Sequence, residues 1–435
     1  MDSSLLLLIG FILIFVLAVL KVPIWLALLG SAIFIQHFVN HMSLNGILVT
    51  LTENLNRTSL MCIPFFLLVG TIVQETTMGK RLLNFAIVLV QRIRGGLAIA
   101  CVVANGLFGA ISGSSGAATA FFGKLVHKPL KDSYNAEISL GIITSSSTLS
   151  GILPPSITLV MYAITSQTSV AKVFLSGVIP AIVIIIAVCF YLLIKLSRMQ
   201  KKGLYSPSQM RLIGDVDIKE LTIIRAGIDA IPVFVLPVIV FAGIYSGVFT
   251  TTEAAAISAL YCLICGIFLR DITLRNIFKI FKTSIKSVIA ILVLFSAASA
   301  FAQAITIAQF PQLVSNLMSG FNRVQFLMFL NIMLLIVGLF IDCTPCILIF
   351  TPIVMPTALA LGIDPVHLGL IFVVNLSIGL FSPPLGLHLF VCQGATGEDF
   401  LLIAKSVLPY MVIYFCLCLL FTYVPWFAMF MPNLI

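Results

Sequence analysis

Long apolar segments alternate with short polar ones along the whole chain, and the alternation repeats. Apolar stretches at about 5–20, 23–39 and 59–76 lead into a basic amphipathic stretch, Lys80 to Arg94. A segment at 97–130 follows, with small polar residues at its middle, then one at 136–166 interrupted by paired prolines, then one at 172–195. The second half reads alike: 230–248, 252–269, 288–309, a segment at 325–360 with a polar middle, an interrupted one at 365–395, and 406–430. Such runs predict membrane-spanning helices.

A single ungapped shift of 229 positions carries Pro154 and Pro155 onto Pro383 and Pro384, and Pro180 onto Pro409. ISGSSGAAT (Ile111 to Thr119) falls on IDCTPCILI (Ile341 to Ile349) with an offset of one position. The segments 97–130 and 325–360 are too long for one crossing and are interrupted by SGSSG and DCTP. They read as re-entrant hairpins, whose non-helical tips are tolerable only where protein or a polar cavity covers them. Five crossings then remain in each half, and an odd number inverts the second half relative to the first. The expectation is an all-α polytopic membrane protein of two inverted repeats, 1–196 and 230–435, joined by a basic cytoplasmic linker at 197–229.

Composition agrees: 60% of residues are hydrophobic and 9% are charged. The first apolar segment lacks a basic flank and a small-residue cleavage site, so it reads as a retained helix rather than a leader. The net charge of +9 does not cluster on a soluble face, which argues against nucleic acid. The basic residues sit in short loops. With the N-terminus outside, most of them fall on the cytoplasmic side, and Arg57, Lys172 and Arg323 fall outside. The ten cysteines lie in apolar segments and read as buried thiols. No Walker motif, nucleophile constellation or transition-metal cluster is present, so the chain reads as neither an ATPase nor another enzyme.

Candidate chemistry gathers at the interruptions. Ser112, Gly113, Ser114 and Ser115 form the first tip; hydroxyls and freed carbonyls there suit a small hard cation, and equally suit close helix packing. Asp342, in the second tip, serves either as a cation ligand or as a helix cap. Pro154 and Pro155 free carbonyls near Thr148 to Gly151, and Pro383 and Pro384 free those around Ser377 to Ser382. Each tip with its break is expected to make one oxygen-lined cage. Glu137, beside Lys131, and Glu253, after three threonines, read as caps. His388 is the one histidine placed to touch a substrate. Asn105 and Asn375 read either as interhelical glue or as ligands.

The motifs PIWLALLG, IPFFLLVG, FGAISGSSGAAT, ILPPSITLVMYAIT, KVFLSGVIP, GVFTTTEAAA, TPIVMP and HLGLIFVVNLSIGLFSPPLG, in this order, resemble the large membrane subunit of TRAP (tripartite ATP-independent periplasmic) transporters. They span almost the whole chain. One departure is Thr251, where that family usually has proline. The resemblance implies an elevator-type importer of organic acid anions such as C4-dicarboxylates, sialic acid or other sugar acids, driven by sodium (Na+). It also implies a small four-helix membrane subunit and a periplasmic solute-binding protein as partners, in the bacterial inner membrane. By position, Ser112, Ser114, Ser115, Thr148 and Gly151 are sodium candidates on one side, and Asp342, Thr344, Gly379 and Ser382 on the other. The substrate would lie between the tips, near Gly113, Pro154, Pro155, Pro383 and Pro384. The alternative is a self-sufficient sodium-coupled dicarboxylate or citrate carrier of related architecture.

Overall fold

The computed structural model describes residues 3–43, 45–90, 95–202 and 222–435. Its first half holds α1 (Ser3–Val19), α2 (Ile24–Phe38), α3 (Asn45–Glu53), α4 (Cys62–Glu75), α5 (Met78–Val90), α6 (Gly96–Ser112), α7 (Ser115–Ser133), α8 (Ala136–Ser146), α9 (Leu149–Ile152), α10 (Ile157–Thr165) and α11 (Val170–Lys201). The second holds α12 (Ile223–Tyr245), α13 (Thr251–Phe268), α14 (Leu274–Ile307), α15 (Phe310–Leu317), α16 (Arg323–Gly338), α17 (Cys343–Ala360), α18 (Pro365–Phe381), α19 (Leu387–Thr396), α20 (Phe400–Tyr423) and α21 (Trp426–Met429). The 229-residue shift pairs them in order: α2 with α13, α3 and α4 with α14, α5 with α15, α6 with α16, α7 with α17, α8 and α9 with α18, α10 with α19, and α11 with α20. Among the described residues, eight helical stretches are long and apolar enough to cross a bilayer.

Two boundaries differ from the sequence reading. The stretch 274–287 contains no proline or glycine, so nothing stops the helix, and α14 starts fourteen residues before the predicted 288–309 segment. Its lysines ride on that helix; Lys279 pairs with Glu75 at 2.7 Å. Helix also continues into both ends of the predicted linker, because α11 reaches Lys201 and α12 begins at Ile223. Residues 203–221 of that linker, and 91–94 of the Lys80–Arg94 stretch, lie outside the described residues.

Local chemistry sets the helix starts. Asn135 caps α8 by accepting the Ile138 N–H at 2.8 Å, and Asp364 caps α18 by accepting that of Val366 at 2.7 Å. Thr250 and Glu253 form a reciprocal capping box on α13, as the sequence suggested, so the helix starts at Thr251 without a proline. Glu137 is not the cap of α8 and does not pair with Lys131; it bonds Lys195 at 3.1 Å.

The helices sort into two groups by contact. α1, α2, α4, α5, α12, α13 and α14 pack mainly on one another. The hairpins α6–α7 and α16–α17, the interrupted helices and α11 and α20 form the second group. At its centre, every residue of α18 from Val366 to Phe381 is buried, as expected of a helix apolar all round. The groups meet where α4 and α5 touch α6, and where α14 and α15 touch α17.

Candidate functional site

The first tip forms where the sequence places it. α6 ends at Ser112, Gly113 takes a left-handed φ of +60°, and α7 begins at Ser115. Glycine is required twice over: the turn needs positive φ, and a Cβ there would sit 2.8 Å from the Pro155 carbonyl oxygen. The Gly113 carbonyl accepts the Ile157 N–H at 3.2 Å, so tip and break are joined directly. The Pro154–Pro155 and Pro383–Pro384 bonds are both cis. Pro154 and Pro155 are buried, Pro383 is half-buried and Pro384 is exposed.

Before the first break runs a ladder of hydroxyls. Thr144, Ser145, Ser146 and Ser147 each donate to the carbonyl four residues back, and Thr148 donates to that of Ser145 at 2.6 Å. These bonds satisfy buried serines inside a helix. Ser150 breaks the series: it is fully buried and its hydroxyl has no partner. Ser112, at the first tip, is 1% exposed and its hydroxyl is also unpartnered. A buried polar atom left unpaired costs about 1–3 kcal/mol, so these two hydroxyls are available to a ligand. Hydroxyl and carbonyl oxygens are the donors a hard monovalent cation takes, and the first half therefore fits sodium.

The other candidates on this side are engaged. Thr148 Oγ1 lies 3.2 Å from the Tyr414 hydroxyl, and the Gly151 carbonyl accepts from Ser156 Oγ at 2.6 Å instead of standing free. A Cβ on Gly151 would lie 3.7 Å from Ser377 Oγ, which brings the two interrupted helices side by side. Ser114 is the N-cap of α7 but makes no side-chain capping bond. Ser115 Oγ meets His388 Nε2 at 3.1 Å. His388 is fully buried, so it serves the first tip from the other half of the chain.

The second tip is a different object. α16 ends at Gly338 and α17 begins at Cys343, so the turn lies before Thr344 and Pro345, which sit in the first helical turn. Asp342 is exposed and caps α17, accepting the Cys343 N–H at 2.8 Å. Thr344 is 8% exposed. Ser382 Oγ donates to the Ile378 carbonyl at 2.6 Å, and Ser382 N–H to that of Gly379 at 3.1 Å. Among the described residues, no hydrogen bond joins Asp342 or Thr344 to residues 382–386. The two tips thus differ in how their hydroxyls are engaged. At the matched position in the second break, Ser150 is replaced by Gly379, which carries no hydroxyl.

Sequence reasoning missed Ser150, Tyr414 and the glycine crossings. Gly109 faces Ser150, and Gly338 faces Gly379, at positions related by the same shift; aligning small residues of the halves would have found them. Asn105 and Asn375 both bond between helices: Asn105 Nδ2 donates to Ser146 Oγ at 2.9 Å and Asn375 Nδ2 to Asn331 Oδ1 at 2.7 Å, while Asn375 Oδ1 is left without a partner.

α7 and α19 are held together along their length. Besides Ser115–His388, a Cβ on Gly123 would fall 2.7 Å from the Ala395 Cβ. Beyond the helix end, Glu398 accepts from both Lys131 and His127 (3.0 Å for the latter). Lys131 first, and His127 second, hold the Glu398 carboxyl below the usual range.

These features define a class: an all-α, multi-pass membrane protein with paired tips and breaks. The fold matches the crystal structure of the Alcanivorax borkumensis YdaH transporter, described as having an unusual topology, with a TM-score of 0.61 at 14% identity over 89% of this chain and 90% of that one. Residues 11–427 match the family "Tripartite ATP-independent periplasmic transporter, DctM component". The C4-dicarboxylate TRAP transporter large permease protein DctM of Pseudomonas aeruginosa is 36% identical over 90% of each chain. The isethionate TRAP transporter permease protein DctMQ of Oleidesulfovibrio alaskensis is 33% identical over 86% of this chain and 58% of that protein. The chain belongs to the DctM family of TRAP transporter large permeases.

Proposed function

We propose that this chain is the membrane-transporting subunit of a sodium-coupled, binding-protein-dependent importer of organic acid anions. It moves a solute and converts none. The observation that carries the reading is the junction of Gly113 with Ile157, flanked by the unpartnered hydroxyls of Ser112 and Ser150. Sodium sits there, with Ser114, Ser115, Thr148 and Gly151 around it. A second ion, if one binds, draws on Asp342, Thr344, Gly379 and Ser382. The substrate contacts the side where Pro383 and Pro384 remain reachable, opposite Gly113, Pro154 and Pro155. The hairpin group moves against the other group as an elevator, with the N-terminus outside the inner membrane.

A small membrane subunit and a periplasmic solute-binding protein complete the system. The isethionate relative supports this, since its greater length leaves room for a fused second membrane part. The names of the relatives, a dicarboxylate and a sulfonate permease, support an anion.

The test is uptake by proteoliposomes holding this chain, the small subunit and a loaded binding protein. Accumulation is expected only with a sodium gradient and all three components. Accumulation by the lone chain, or without sodium, overturns the reading.

A further inference from the structure

A cavity of about 390 Å³ lies between the end of α4, the start of α5, the α13–α14 turn and the outer arm of the first hairpin, α7. One of its two acidic groups is paired with a lysine; the other keeps its charge but is hydrogen-bonded, so that with Lys80 and Lys124 one positive charge is left over. Asp271 Oδ2 accepts from the N–H and hydroxyl of Thr77, at 2.9 and 2.5 Å. Glu75 Oε2 pairs with Lys279. Its two other charged groups, Lys80 on α5 and Lys124 on α7, are exposed and form no ion pair among the described residues. Thr76, also in the lining, is 6% exposed, and its buried hydroxyl has no partner. The cavity is thus a pocket with surplus positive charge and a spare hydroxyl, walled where Gly79 packs against the Phe121 ring.

By the 229-residue shift the counterparts of Lys80 and Lys124 in the other half are Gln309 and Ile353, neither of them charged. The paired lysines are therefore peculiar to the first half. They mark one side, the side that the basic residues assign to the cytoplasm.

We infer that this cavity binds an anionic group, phosphate or carboxylate, held by Lys80 and Lys124 and hydrogen-bonded by Thr76. The ammonium groups supply point charges without demanding a fixed geometry, which suits a headgroup or a small acid alike. The occupant bridges α5 and α7, one helix from each group. It is separate from the tip–break junction and needs no sodium.

The test is binding to the purified full chain, read as a rise in unfolding temperature. Short-chain phosphatidylglycerol and succinate are titrated separately into wild type, the Lys80→Gln/Lys124→Gln variant and Thr76→Val. At least one probe should stabilise the wild type, with apparent affinity falling about tenfold or more in the double variant, as for the loss of two charge-assisted contacts. Thr76→Val should weaken the same probe by a smaller factor. A response to phosphatidylglycerol identifies a lipid headgroup, and one to succinate a soluble acid. If neither probe stabilises the wild type, or the double variant responds as the wild type does, the inference is overturned. The readout is binding to the chain alone, so its failure is distinct from a failure of sodium-coupled uptake.

Discussion

Gly338 and Gly379 meet backbone to backbone: a Cβ on Gly379 would lie 2.5 Å from the Gly338 carbonyl carbon. In the first half Gly109 makes the same approach to Ser150, with a Cβ 2.6 Å from its Cα. Both crossings let a hairpin arm lie flat on an interrupted helix, where apolar lipid gives helices no hydrophobic reason to associate. Gly379→Ala should force α16 and α18 apart and cost about 1–3 kcal/mol, the usual range for overpacking. Gly394→Ala, where nothing lies within 4 Å, should be neutral or stabilising by up to about 1 kcal/mol. Unfolding of the two purified variants against wild type checks the pair.

Ser112→Ala and Ser150→Ala remove hydroxyls that have no protein partner. Without sodium, both variants should unfold at or above the wild-type temperature, because an unsatisfied buried group is gone. With sodium, they should lose stabilisation, with the half-saturating concentration rising roughly five- to 150-fold, the equivalent of about 1–3 kcal/mol. A sodium titration of unfolding temperature measures both. Wild-type sodium curves in both variants would remove these oxygens from the ion site.

Glu398 sits between α19 and α20, and its carboxyl is held below the ordinary glutamate value of about 4.5 by Lys131 and His127. A group whose folded value is depressed stabilises the fold above its unfolded value and loses that contribution as pH falls through the folded one. The contribution is therefore complete above about pH 4.5 and fades below it. Glu398→Gln should be less stable than wild type at pH 7, with the difference shrinking in acid below pH 4.5. Unfolding temperatures measured from pH 7 downward test the sign.

Lys202 follows the last residue of α11 and is exposed. With the N-terminus outside, it faces the cytoplasm. In a chain otherwise stripped of cysteine, Lys202→Cys should react in intact cells only with membrane-permeant reagents. Labelling by an impermeant maleimide from outside would reverse the assigned orientation.

Much of this architecture was legible in the residues. The tip at Ser112 to Ser115 is written as Ser-Gly-Ser-Ser, and at Gly113 a Cβ would crowd the Pro155 carbonyl oxygen at 2.8 Å. The breaks are written as paired prolines, which remove donors wherever they stand. What the sequence could not show is which hydroxyls are left over. Ser145, Ser146, Ser147 and Ser150 look alike in SSSTLS, yet only Ser150 lacks a partner, because the Gly109 crossing occupies its side of the helix. Nor could it show that Asp342 is engaged as the cap of α17 while His388 reaches Ser115, 273 residues away along the chain.

The lashing of α7 to α19 bears on how such a chain can be rebuilt. Each helix belongs to a different repeat, yet Ser115 with His388, Gly123 with Ala395, and Lys131 with Glu398 close the seam at the tip, the middle and the end. The repeats are consequently not interchangeable modules. A chimaera that takes its first half from one relative and its second from another inherits one side of each contact from each parent. It will assemble only where the two parents agree at all three places.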